Sequence, residues 1–232
     1  MNAKKLKAKM QNLGADLIGI GDLSDTPPFT RQNLPTGIAV AKKYPEEVIR
    51  GIWNLPTALY RDWYVKLNTE LDSLVTTCAE MLRKEGFTAI AQTREYVGTG
   101  EDSDNTLMPH KTVATHAGIG WIGKSALLIT EKYGSMVRLS SVLTNAPLEW
   151  DKPTEYSKCG NCMICAQNCP GGAILGEAWD TGKALEEYFN AVLCRKTAQE
   201  RSLKGFGGSD TICGKCIEVC PYTRKTWKKE NR

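Results

Sequence analysis

The chain has 232 residues, 41% of them hydrophobic and 24% charged, with a formal net charge of +4. That length and composition suit one large or two modest domains that bury a core without disulfide or metal staples, and they exclude a disordered chain. No apolar run is long enough to span a bilayer, and the mild positive excess permits an acidic partner such as a ferredoxin, a flavodoxin or RNA without demanding one. The N-terminal MNAKKLKAKM carries lysines with no apolar stretch behind them. Neither a secretory nor a twin-arginine signal is read there, so the expected location is cytoplasmic, with no membrane attachment.

Residues 16–21 (DLIGIG) and 37–41 (GIAVA) read as short buried strands. Residues 57–84 read as one long helix, because Tyr60, Tyr64, Leu67, Leu71, Leu74, Cys78 and Met81 step by four and three, with Gly86 as the stop signal. The seam is expected to be core packing, with Cys78 a buried core residue. Residues 87–93 read as a strand, the polar stretch 95–109 as a loop and 110–117 as a short helix. Two β-rich runs follow at 126–130 and 136–144. Strand and helix signals alternate, so residues 1–150 are expected to form an α/β domain for a cofactor or substrate, followed by a second domain at 151–232.

Residues 117–125 read Ala-Gly-Ile-Gly-Trp-Ile-Gly-Lys-Ser. Gly118, Gly120 and Gly123 satisfy G-x-G-x-x-G, while Gly118, Gly123, Lys124 and Ser125 satisfy the Walker A pattern. Both motifs need a strand before the loop and a helix after it, so that phosphate sits on the helix N-terminus. Here the order is a helix and then a strand, which is also the order of a plain turn with Trp121 in the core. Lys124 and Ser125 are not expected to bind nucleotide. Under either reading the glycines open the backbone to close approach by something flat or bulky.

Eight of the nine cysteines lie between Cys159 and Cys220. Cys159, Cys162, Cys165 and Cys169 followed by Pro170 make C-x2-C-x2-C-x3-C-P, the spacing of bacterial ferredoxins, in which three thiolates wrap one cubane and the fourth turns to the other. Cys213, Cys216 and Cys220 followed by Pro221 repeat it without the first cysteine, which Cys194 can replace across a loop. The crossed pattern then predicts one [4Fe–4S] cluster on Cys159, Cys162, Cys165 and Cys220, and another on Cys169, Cys194, Cys213 and Cys216. A pair of zinc sites would need neither the third cysteine at x2 nor the C-P endings. Two neighbouring clusters make an electron wire, and the first domain is expected to hold whatever receives the electrons.

AGIGWIGK at 117–124, SMVRLSSVLT at 135–144 and the cysteine set 159–220 together resemble the epoxyqueuosine reductase family and, more distantly, the reductive dehalogenases. The resemblance covers about half the chain well and residues 1–100 loosely. It implies a nitroreductase-like α/β domain that binds cobalamin next to one cluster, a ferredoxin-like domain with two [4Fe–4S] clusters, and cluster electrons that reduce cobalt to Co(I). It also implies an activity in queuosine biosynthesis, the removal of an epoxide oxygen. The glycine-loop residues Gly118, Gly120, Trp121, Gly123 and Lys124 are the expected cobalamin contacts, with no protein imidazole on the cobalt. The family's acid lies thirteen residues before the loop alanine, which here is Asp104, though the family's proline is missing from Asp-Asn-Thr-Leu. His110 at the short helix's start and Tyr96 in the polar loop are further proton-handling candidates. The larger relatives carry a C-terminal helical-repeat domain that helps hold tRNA. This chain stops eleven residues after Pro221, which makes it a short form and tRNA a doubtful partner. The basic tail at 222–232 could touch RNA or an acidic redox partner, although a solvated terminus is commoner.

The reading is a cobalamin-dependent reductase fed by a low-potential donor such as a ferredoxin or flavodoxin. The alternatives are an electron-transfer protein that reduces a corrinoid on another enzyme, and a P-loop protein with clusters.

Overall fold

The computed structural model describes residues 2–97 and 107–227. The chain divides into two compact units, each assembled from three stretches. The first holds residues 1–42, 66–120 and 138–155, and the second holds 43–65, 121–137 and 156–232. The second unit therefore takes two stretches from the part of the chain that precedes residue 150.

The first unit is an α/β layer built on a four-stranded sheet. Helix α1 (Ala3–Asn12) opens it, capped by the Asn2 side chain, which accepts the Lys5 N–H at 2.9 Å. Ala3, Leu6 and Met10 form the buried face of α1, while its lysines lie outside the core. Strands β1 (Leu17–Asp22) and β2 (Thr36–Lys43) are antiparallel, with Ile20 opposite Ile38. β2 is buried from Thr36 to Ala41, so its run of apolar residues packs on both faces. After the short helix α2 (Glu46–Arg50) of the second unit comes α3 (Ala58–Lys84). Its residues up to Val65 go with the second unit and the rest with the first.

The helix expected over 57–84 is thus present within one residue. Leu67, Leu71, Leu74 and Cys78 are buried as the seam requires, and Val75, Ala79 and Leu82 widen the stripe. Cys78 belongs to this core, and burial pushes its thiol up to about 12. Strand β3 (Ala89–Ala91) pairs antiparallel with β6 (Val137–Thr144), and the sheet order is β1-β2-β6-β3. The polar stretch after β3 begins not as a loop but with one helical turn, α4 (Arg94–Val97); helix α5 (His110–His116) follows later.

The second unit opens its middle stretch with a hairpin, β4 (Trp121–Ile122) paired with β5 (Leu128–Ile129). The glycine loop therefore leads from α5 through a turn into a strand. Ser125 is followed by that hairpin's turn and not by a helix, so the phosphate-binding geometry of a Walker A loop is not formed. The last stretch carries α6 (Ile164–Gln167), α7 (Ala191–Phe206), α8 (Lys215–Glu218) and α9 (Pro221–Arg224). α7 starts under the Asn190 side chain, which accepts the Leu193 N–H at 3.0 Å. The core of this unit gathers Trp121, Ile122, Ala126 and Ile129 of the hairpin region with Trp179, Tyr188 and Cys220. Among the described residues no helix is long and apolar enough to cross a membrane.

Candidate metal centre

All eight thiols of the cysteine constellation lie in the second unit. Cys159 and Cys162 stand on a turn, with the Cys162 N–H bonded to the Cys159 carbonyl at 3.1 Å, and Cys165 sits in α6. Cys194 is in the first turn of α7, and Cys216 is in α8. Cys220 caps α9 and Pro221 takes the first helical position, where a missing N–H costs nothing and a fixed φ favours the helix. The C-P ending thus starts a helix at the ligand. Burial raises the Cys220 thiol, and the neighbouring Thr223 and Tyr222 amides and the Ser135 side chain act against that rise. Cys169 Sγ accepts the Ala173 N–H at 3.3 Å.

The thiols act on one another, mostly but not wholly within the two expected sets. Burial pushes Cys165 up to about 11, and the thiols that add to this are Cys159, Cys220 and Cys162. Burial also pushes Cys194 up to about 11, with Cys169 and Cys213 adding. Cys216 is raised well above the usual thiol range by burial, then by Cys213 and Cys194, with Cys165 and Cys169 behind them. Cys220 is raised by burial and, among the thiols, by Cys159. Partly buried sulfurs near one another resist ionisation until a multivalent cation compensates them, which is the electrostatics of a metal-ligand set. Among the described residues no three cysteine, histidine, aspartate or glutamate side chains converge on a site for a single ion. A cubane needs no such convergence, because each of its four thiolates binds a different iron.

The other candidates are dispersed. Asp104 lies outside the described residues. Tyr96 is exposed in α4. His110 is held by a buried polar network, with its Nδ1 2.8 Å from Ser141 Oγ. Ser141 Oγ in turn donates to Gln92 Oε1 at 2.5 Å, and Gln92 Nε2 donates to the Met108 carbonyl at 3.1 Å. Burial lowers the His110 pKa to about 4; the Arg138 charge adds to the depression and Asp72 opposes it. His116 has both ring nitrogens engaged, Nδ1 with the Thr112 carbonyl at 2.8 Å and Nε2 with Asp25 at 3.0 Å. Nothing in the sequence pointed to Ser135 at Cys220 or to Gln92 and Ser141 at His110, since these partners meet only through folding.

The glycine loop is split, Gly118 and Gly120 belonging to the first unit and Trp121, Gly123 and Lys124 to the second. The space beside two of the glycines is filled by the protein itself. A Cβ on Gly118, whose φ is +64°, would stand 2.3 Å from the Lys152 carbonyl oxygen, and one on Gly123 would stand 2.3 Å from Ile129 Cδ1. Gly120 and Trp121 are buried, with Trp121 edge-on to Tyr222 at 4.8 Å between ring centroids. Lys124 is buried, its Nζ 3.5 Å from Met163 Sδ. Only Gly118 reaches open surface, where it lines a recess of about 360 Å³ with Leu17, Ile18, Ile119 and Lys152.

The family model described as a 4Fe-4S double cluster binding domain matches residues 158–223, the stretch that holds all eight of these thiols. An epoxyqueuosine reductase of Listeria monocytogenes is 36% identical over 166 residues, covering 70% of this chain and 39% of that protein. The chain is related to the epoxyqueuosine reductases. It spans less than half the length of this curated relative. The fold is shared with a solved epoxyqueuosine reductase bound to an epoxyqueuosine-modified tRNA-Tyr stem loop, at a TM-score of 0.62 and 22% identity, over 96% of this chain and 65% of the other. It is also shared with a reductive dehalogenase described as acting by B12-dependent dehalogenation, at a TM-score of 0.75 and 17% identity, over 96% of this chain and 32% of the other. The expected likeness to both groups is thus found, and the chain carries the double-cluster domain that its cysteine spacing predicts.

Proposed function

We propose that this chain is a reductase of the epoxyqueuosine reductase type, in which two [4Fe–4S] clusters on crossed cysteine sets pass electrons to a cobalamin. The observation that carries this reading is the match of residues 158–223, which hold all eight thiols, to a 4Fe-4S double cluster binding domain; the crossed sets are part of the proposal. One is Cys159, Cys162, Cys165 and Cys220, and the other is Cys169, Cys194, Cys213 and Cys216. When bound, the clusters supply one-electron steps at low potential. The thiols would hold them, and the Ala173 amide hydrogen offsets part of the ligand charge at Cys169.

Removing an epoxide oxygen consumes two electrons and two protons: two C–O bonds break, a C=C bond forms and the oxygen leaves as water. Electrons come from a low-potential donor of the ferredoxin or flavodoxin class. His110 is neutral at pH 7, with the hydrogen on Nδ1 and the lone pair on Nε2, and its lowered pKa leaves it without an acidic proton to supply and slow to take one up. Proton delivery is left to Asp104 or Tyr96. Cobalamin is supported by the family resemblance and by the B12-dependent dehalogenase that shares the fold. The buried part of the glycine loop does not fit it, since Lys124, Trp121 and Gly120 are inside and Ile129 fills the space at Gly123. Of the loop, direct contact would fall to Gly118, which lines the open recess. A tRNA substrate is proposed from the neighbour that binds a modified stem loop.

Anaerobic purification of the full chain tests the cluster reading. About eight iron and eight sulfide per chain are expected, and stoichiometric zinc without labile sulfide overturns it. Added cobalamin should then give a Co(II) electron paramagnetic resonance signal without nitrogen splitting. Absence of uptake by fully clustered protein leaves the electron-carrier reading, and turnover of an epoxide substrate separates enzyme from carrier.

A further inference from the structure

Individual thiols of the constellation meet different donors. Cys169 is served by a neutral group, the Ala173 amide. Cys213 instead receives a charged donor: Arg201 Nε lies 3.1 Å from Cys213 Sγ. Arg201 stands on α7 seven residues beyond Cys194, about two helical turns along, so both face the same side of the helix. The helix that supplies one thiol of this set thus also supplies a cation to another. The guanidinium is aimed by its far end, where Nη2 donates to the Asn54 carbonyl. Among the described residues Arg201 has no carboxylate partner, so its charge is not neutralised before it reaches the sulfur.

We propose that Arg201 is a positioning residue for electron flow, raising the reduction potential of the cluster on Cys169, Cys194, Cys213 and Cys216. The proposal rests on the cluster reading above. Reduction adds one electron to an already anionic cluster and its sulfurs. A donated N–H and a nearby positive charge stabilise the reduced form more than the oxidised one, so the potential rises. Lysine is a poor substitute, because the planar fork serves Sγ and the Asn54 carbonyl at once.

The test is a redox titration, followed by electron paramagnetic resonance, of the anaerobic, cluster-loaded full chain with dithionite as reductant, comparing Arg201→Leu and Arg201→Lys with the parent. Iron and sulfide are counted first and are expected to be unchanged. In Arg201→Leu one midpoint should move to lower potential, and it should be that of the signal altered by Cys194→Ser. Arg201→Lys keeps the charge but not the fork, so that midpoint should move less and the other should stay in place. Parental midpoints in a fully loaded Arg201→Leu protein overturn the proposal. So does loss of half the iron in both variants, which makes Arg201 a structural clamp only. A parent chain without labile sulfide sinks the cluster reading itself, so the two failures are distinguishable.

Discussion

Ser141 has one hydroxyl hydrogen, and at 2.5 Å Gln92 Oε1 takes it. His110 Nδ1 must then donate to Ser141 Oγ, which fixes the neutral tautomer. Burial makes the charged imidazole costly, and the Arg138 charge adds to the cost. Folding lowers this pKa from the ordinary 6.5 to about 4, so the unfolded chain binds the extra proton in that window. The stabilisation is present above pH 6.5 and is withdrawn as pH falls through about 4. With only two histidines in the chain, nitrogen-15 NMR resolves the test: one imidazole should stay neutral with the proton on Nδ1 down to about pH 4. A ring that titrates near 6.5 contradicts the buried network. The crossing of the cysteines is also a residue-scale matter. Cys220→Ser should give the same residual cluster spectrum as Cys165→Ser, because both damage one cluster. Cys169→Ser should give the spectrum of Cys194→Ser. Identical spectra for Cys220→Ser and Cys216→Ser would show instead that each motif binds its own cluster.

At the scale of elements, α3 was legible because twenty-seven residues of helix repeat their apolar stripe many times. Helix α1 was not, because lysines dominate its composition and only Ala3, Leu6 and Met10 mark the buried face. α7 was missed for a related reason: Ala198 and Ser202 are its only buried residues, so it has no stripe to read. Asp151 ties α1 and β1 together. Its carboxylate accepts the Ile20 N–H at 2.8 Å and meets Lys7 Nζ at 2.5 Å. Asp151→Ala should cost about 1–3 kcal/mol locally, by leaving the Ile20 amide without its acceptor. Hydrogen exchange should show lost protection in α1 and β1, with less loss in Asp151→Asn. Unchanged exchange there would mean that water replaces the carboxylate.

For the whole molecule, the cysteine-bearing stretch is not a self-contained body. Its unit includes residues 43–65 and 121–137. The early stretch supplies the Trp53 carbonyl to Lys215 Nζ at 2.6 Å and the Asn54 carbonyl to Arg201. The hairpin stretch supplies Trp121, Ile122 and Ile129 to the core, and Ser135 to Cys220. A fragment of residues 151–232 should therefore hold well under eight iron per chain after anaerobic reconstitution, whereas the full chain holds about eight. Full loading and equal thermal stability of the fragment would show that the two early stretches are dispensable.

What the sequence determined by itself was the cluster chemistry and the long helix. Thiolate spacing is local: three cysteines within seven residues can reach one cubane whatever the rest of the chain does. A helical stripe is local as well, since its period is set by the backbone. What only the tertiary structure decided was which stretches share a core with the thiols and what fills the space beside two glycines of the loop. The Lys152 carbonyl against Gly118 and Ile129 against Gly123 come from distant turns and neighbouring strands. A glycine records only that something must come close, and the fold decides whether that neighbour is a ligand or the protein's own chain.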